Sequence, residues 1–188
     1  MKNVVYFDLE TQRSISDVGG YKNIDQLRVS VGVAYSTQTG RYHIFGEDGM
    51  DELVKMLLGA DLVVGYNHLG FDYKVLQGYT IIDMESQTIN LDMMVDIQSI
   101  LDRRLKLDSI ASASLGMSKT ADGLEALKWW KEYKETGSKE PVMRIAEYCA
   151  YDVKVTRFVY EYGLEHGLVK YDDKAGGVSE VEVNWPAL

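Results

Sequence analysis

The sequence predicts an α/β domain built on a mixed sheet, an antiparallel meander followed by parallel strands, with helices on both faces. Three observations predict it. Short apolar, β-branched segments dominate the first 45 residues. Strand-like and helix-like segments alternate between residues 51 and 94. Helical spacing then takes over from Val95 onward.

Val4 to Leu9 is an apolar run rich in β-branched residues and reads as a buried strand. Gln12 to Asp25 is polar, contains Gly19-Gly20, and reads as a long loop at one end of the sheet. Arg28 to Ser36 and Arg41 to Phe45 alternate around Thr37-Gln38-Thr39-Gly40, the pattern of a hairpin. Asp51 to Leu58 has helical spacing and stops at Gly59. Leu62 to Val64 reads as a short strand ending at Gly65, Leu69 to Gln77 as a helix and Ile89 to Met94 as a last strand. Helices are expected over roughly 95–103, 107–115, 122–135 and 139–164. Asp172-Asp173 and Gly176-Gly177 separate two strand-like pieces in the tail. The later strands return parallel through helical crossovers. One domain over 1–188, with a hairpin-like tail over 168–188, is the expected organisation, because no Pro/Gly/Ser-rich linker divides the chain.

The chain has 188 residues, enough for a sizeable core, and its 46% hydrophobic and 26% charged content argues against long disorder. Cys149 is the only cysteine, which excludes an intramolecular disulfide and a thiolate zinc cluster. His43, His68 and His166 are scattered, against a histidine-built zinc site. The N-terminus runs into a strand without a signal-like stretch, and no apolar run is long enough to span a bilayer, so a cytoplasmic location and no membrane partner are expected. A net charge of −9 argues against coating nucleic acid by bulk attraction, though a nuclease whose acids belong to a metal site stays compatible with it.

Three segments supply acids. Asp8 and Glu10 are two apart on a strand, so both point to one face. At ~5 Å and an effective dielectric near 20, two such charges repel by roughly 3 kcal/mol, a cost that a bound cation removes. Asp72 follows Asn67 at a strand-to-helix handover, where ligands gather in open α/β sheets. Asn67 is expected to cap the helix and Phe71 to point into the core. Tyr148 and Asp152 are four apart on a helix and share a face. Taken singly, each segment also fits an ordinary solvated strand, a helix cap or an amphipathic helix. Taken jointly, four carboxylates in this order fit two divalent cations of the Mg²⁺ or Mn²⁺ kind, which prefer oxygen ligands.

The motifs Phe7-Asp8-Leu9-Glu10-Thr11, Tyr66-Asn67-His68-Leu69-Gly70-Phe71-Asp72 and Tyr148-Cys149-Ala150-Tyr151-Asp152 resemble the three motifs of the DEDD 3′–5′ exonucleases. The likeness is to the tyrosine subclass, most of all to the proofreading exonuclease domain of family B DNA polymerases and its stand-alone bacterial relatives. The histidine subclass has a histidine five residues before the last acid, where this chain has Glu147. Leu105 to Ala111, leading to Leu115 to Lys119, looks like the family's connecting helix. The resemblance spans about residues 3–165 and implies a ribonuclease-H-like fold. It implies that Asp8, Glu10 and Asp152 hold one of two Mg²⁺ or Mn²⁺ ions, that Asp8 bridges to the second with Asp72 supporting it, and that Tyr148 orients the attacking water. The implied reaction releases nucleoside 5′-monophosphates from the 3′ end of single-stranded DNA or RNA, with DNA favoured.

Thr11, Arg13, Asn67, His68, Phe71 and Lys119 are the candidate substrate contacts, with Arg103, Arg104, Lys106 and Lys128 to Lys134 as further basic positions that equally fit solvated helix faces. Trp129, Trp130 and Tyr133 fit either base stacking or a core stripe. A helicase or polymerase is the expected protein partner. Two alternatives stand beside the exonuclease: a ribonuclease-H-like endonuclease or structure-specific nuclease with the same metals, and a non-catalytic partner-binding module.

Overall fold

The computed structural model describes residues 2–118, 123–173 and 176–188. Its central sheet has five strands in the order β3-β2-β1-β4-β5. These are β1 (Val4–Thr11), β2 (Val29–Ser36), β3 (Arg41–Phe45), β4 (Leu62–Gly65) and β5 (Asn90–Asp92). β2 pairs antiparallel with both β1 and β3, while β4 runs parallel to β1 and β5 parallel to β4. The meander and the parallel returns are therefore as the sequence predicts.

Both faces of the sheet are covered, and β1 divides its side chains between them. Val4 and Tyr6 enter one core with Ile97, Ile110, Ile145, Cys149 and Val153. Val5, Phe7 and Leu9 enter the other with Leu53, Leu57, Tyr73 and Leu76. Burying each such large apolar side chain contributes roughly 1.5–3 kcal/mol. The first core is roofed by α4 (Met93–Leu101), α5 (Leu107–Leu115), α6 (Gly123–Thr136) and the long α7 (Glu140–His166). The second is covered by α1 (Met50–Leu58), α2 (Asp72–Leu76) and α3 (Met84–Gln87). Pro141 sits in the first turn of α7, where its missing N–H costs nothing, and Gly167, at φ 67°, ends the helix in the left-handed region.

Two expectations change in detail. The helix over Leu69 to Gln77 is reduced to α2, five residues long, because Asn67 to Phe71 fold as a loop. The strand over Ile89 to Met94 stops at Asp92, whose side chain caps α4 by accepting from the backbone of Met94 and Val95. Beyond α7, β6 (Leu168–Asp172) and β7 (Val178–Glu182) form an antiparallel hairpin packed on α5. Ser109 and Ser114 hydrogen-bond to the backbone of Asp172 and Lys170. Among the described residues, no helix is long and apolar enough to cross a membrane.

Candidate metal centre

The alternation that sends Val4 and Tyr6 toward α7 carries on to Asp8 and Glu10. Both therefore emerge on the α7 side at the end of β1. Asp152, buried on α7, meets them: one carboxylate oxygen from each of Asp8, Glu10 and Asp152 lies within 4.8 Å of the other two. The donor set is all oxygen. The buried Cys149 donates toward the backbone oxygen of Asp8 (3.3 Å) and toward Oδ2 (3.5 Å). Burial, and after it the charge of Asp8, pushes that thiol well above its usual range, so it stays protonated. Oxygens on one Mg²⁺ at about 2.1 Å stand about 3–4 Å apart, so small side-chain movements suit this triad to a hard divalent cation.

Tyr148 lies one helical turn before Asp152, buried, and hydrogen-bonded to its carboxylate. Burial and then the charges of Asp152, Glu10 and Asp8 raise its hydroxyl far above the usual value, so it is held as a donor. Trp129 of α6 meets the Tyr148 ring edge-on at 6.5 Å.

Asp72 stands outside the triad. It begins α2, is buried, and its Oδ1 accepts the Leu9 N–H at 3.1 Å. Burial, and after it the charge of Asp8, pushes its carboxyl well above the usual carboxylate range.

The loop leading to Asp72 is fixed by residues outside the three motifs. Asp92 accepts from Asn67 N at 2.7 Å and from Leu69 N at 3.0 Å. Asn67 itself has φ 67°, a left-handed backbone rather than the expected cap of α2, whose first residue lies five positions on. His68, expected as a substrate contact, is fully buried instead. Its ring packs edge-on to Phe7 and Tyr73, and Nε2 faces Asn90 Oδ1 at 3.2 Å. Burial lowers its pKa, so it is neutral, and Nδ1 has no hydrogen-bond partner. A Cβ on Gly65 would come within 2.6 Å of that nitrogen, so only glycine ends β4 beside this ring.

Asn67 lines a 460 Å³ pocket with Asp8, Asp152 and Lys106. Thr11, Arg13 and Phe71 line a separate, more apolar pocket of 550 Å³. Phe71 is half-buried: it packs against the second core, as expected, and also lines this pocket. Arg103 is engaged over the Tyr171 ring and Arg104 donates to Gln98. Lys119 lies outside the described residues. Asp92 was missed by sequence reasoning because an isolated acid before an apolar helix carries only the local signal of a cap.

The sequence model of the RNase_H_2 family, within the RNase_H superfamily, matches residues 5–163. No curated protein matches the chain.

Proposed function

The chain belongs to the RNase H superfamily, and on that premise we propose that it is a two-metal-ion 3′–5′ exonuclease acting on single-stranded nucleic acid, DNA in preference to RNA. Membership of the superfamily together with an acidic triad supports a nuclease that uses divalent cations. The convergence of Asp8, Glu10 and Asp152, with Tyr148 beside them, is the observation that carries the finer reading.

Asp8, Glu10 and Asp152 would hold one Mg²⁺ or Mn²⁺, with Asp8 shared toward a second and Asp72 behind it. The cations, when bound, supply charge stabilisation at the attacking and leaving oxygens. Tyr148, protonated and donating its O–H to Asp152, would position the attacking water by accepting a hydrogen bond rather than acting as a base. Asn67 borders the pocket that Asp8 and Asp152 face. Thr11 and Phe71 border the apolar pocket suited to the terminal nucleoside. Hydrolysis at the last phosphodiester releases a nucleoside 5′-monophosphate.

The test is a gel of 5′-labelled DNA and RNA oligonucleotides with Mn²⁺. The exonuclease yields a ladder shortening from the 3′ end, stops at a blocked 3′ terminus, and is silenced in Asp152→Ala. Internal cutting of the 3′-blocked strand would replace this reading with an endonuclease.

A further inference from the structure

On a chain of net charge −9, one cleft runs against the trend. Lys128, Lys131 and Lys134 are exposed at three-residue intervals along α6, which keeps them on one flank of the helix. With Arg13, from the segment that follows β1, they line a cleft of 590 Å³. Leu127 and Trp130, both half-buried, also line it. Its acid is Asp17, whose carboxylate is occupied by the backbone N–H (2.8 Å) and hydroxyl (2.7 Å) of Ser14. Lys131 also stands 3.8 Å from Glu135, an exposed and weak pairing.

The cleft adjoins the metal centre through covalent and packed neighbours. Thr11, Gln12 and Arg13 continue directly from Glu10, and Arg13 and Leu127 line both this cleft and the apolar pocket of Thr11 and Phe71. The same helix sets Trp129 against Tyr148. We propose that this cleft binds the phosphates of a single strand on the 5′ side of the nucleotide being removed, with Trp130 as a stacking surface for one base. The inference rests on the exonuclease reading and adds to it the path of the strand. Four cations beside an indole fit a strand of phosphates and bases, and confine electrostatic attraction to one face of an acidic protein.

The test is fluorescence anisotropy of a fluorescein-labelled single-stranded DNA 12-mer in EDTA at low salt, which reads binding apart from hydrolysis. In K128Q/K131Q/K134Q, binding is expected to weaken tenfold or more. The slope of log K against log salt should shrink by about two, as three lost phosphate contacts on a single strand require. The charge-keeping K128R/K131R/K134R should bind as the wild type does. An unchanged Kd and slope in the glutamine variant, or no measurable binding by the wild type, would overturn the track. Displacement of the 12-mer by a glutamate-rich peptide as effectively as by unlabelled DNA would overturn it in favour of a protein ligand. The p-nitrophenyl ester of thymidine 5′-monophosphate, which has no nucleotide on the 5′ side to enter the cleft, separates the premise. A wild type that never hydrolyses it with Mn²⁺ sinks the exonuclease reading, whereas hydrolysis with an unchanged Kd sinks the track alone.

Discussion

The side chain of Asp92 accepts the backbone N–H of Asn67 at 2.7 Å, and so ties the end of β5 to the loop that delivers Asp72. The same carboxylate accepts from Leu69 and, on its other side, from Met94 and Val95 at the start of α4. Four N–H groups thus depend on one buried acid. Asp92→Ala leaves them unpaired and removes a helix cap, so a loss of about 2–4 kcal/mol is expected in urea denaturation. Asp92→Asn, which keeps one carbonyl acceptor, should lose less. Equal stability of Asp92→Ala and the wild type would show that the loop holds itself.

What the sequence made legible follows from local periodicity. Period two puts Asp8 and Glu10 on one face, and a spacing of four puts Tyr148 and Asp152 on another; the structure brings the three carboxylates together. What stayed hidden depends on partners distant in the chain. His68 reads as a site residue until Phe7, Tyr73 and Asn90 are seen around it. Asn67 reads as a cap until its backbone is seen in the left-handed region, which an asparagine tolerates and a helix does not. Asp92 stands 25 residues from Asn67, and no spacing rule joins them.

Tyr148→Phe should fold as the wild type does, since the ring keeps its contact with Trp129. Its hydroxyl is held protonated by burial and the neighbouring acids, so what is lost is an oriented hydrogen bond. A fall in kcat of roughly 10²-fold, with KM nearly constant, is expected on single-stranded DNA. Full activity in this variant would remove the tyrosine from the proposed mechanism.

Three carboxylates with oxygens within 4.8 Å of one another repel when no cation lies among them. Asp8→Asn should therefore raise the thermal midpoint of the metal-free protein, by an amount equivalent to about 1–3 kcal/mol. Mg²⁺ or Mn²⁺ should raise the midpoint of the wild type and do so less in the variant. Differential scanning fluorimetry with EDTA and with each cation measures both. A variant less stable without metal, and a wild type indifferent to cations, would disprove a shared acidic site.

Glu47 joins the ends of β1 and β2 to the stretch after α2. Gln12 donates to its Oε2 at 2.8 Å and the Tyr79 hydroxyl to Oε1 at 2.9 Å, while Arg28 pairs with it and lies over the Tyr79 ring. Burial favours the neutral acid, but the bonds from Gln12 and Tyr79 and the Arg28 charge outweigh it, and the pKa falls below the ordinary 4.5. A depressed folded pKa means that this stabilisation is complete above the ordinary value. It is lost as pH falls from 4.5 through the lower folded value. Glu47→Gln should flatten that part of the stability–pH curve, read as thermal midpoints between pH 3 and pH 6 (about the window the shift defines). An acid limb as steep as that of the wild type would place the effect elsewhere.

Gly163 on α7 packs its Cα against Trp185, so a Cβ there would overlap the indole ring. Trp185 also stacks on Tyr160 at 6.1 Å and donates from Nε1 to Asp96 at 2.8 Å, which docks the segment after β7 onto α7 and α4. Two effects of opposite sign meet in Gly163→Ala. Helix propensity favours alanine by about 1 kcal/mol, and overpacking opposes it by about 1–3 kcal/mol. Because the ring is held by two partners it does not swing aside cheaply, so the overlap should win and the variant should be less stable, with red-shifted tryptophan emission. In a chain ended after Glu182, where Trp185 is absent, the same substitution should instead stabilise by about 1 kcal/mol. A substitution that stabilises both chains would mean that the Trp185 contact does not constrain α7.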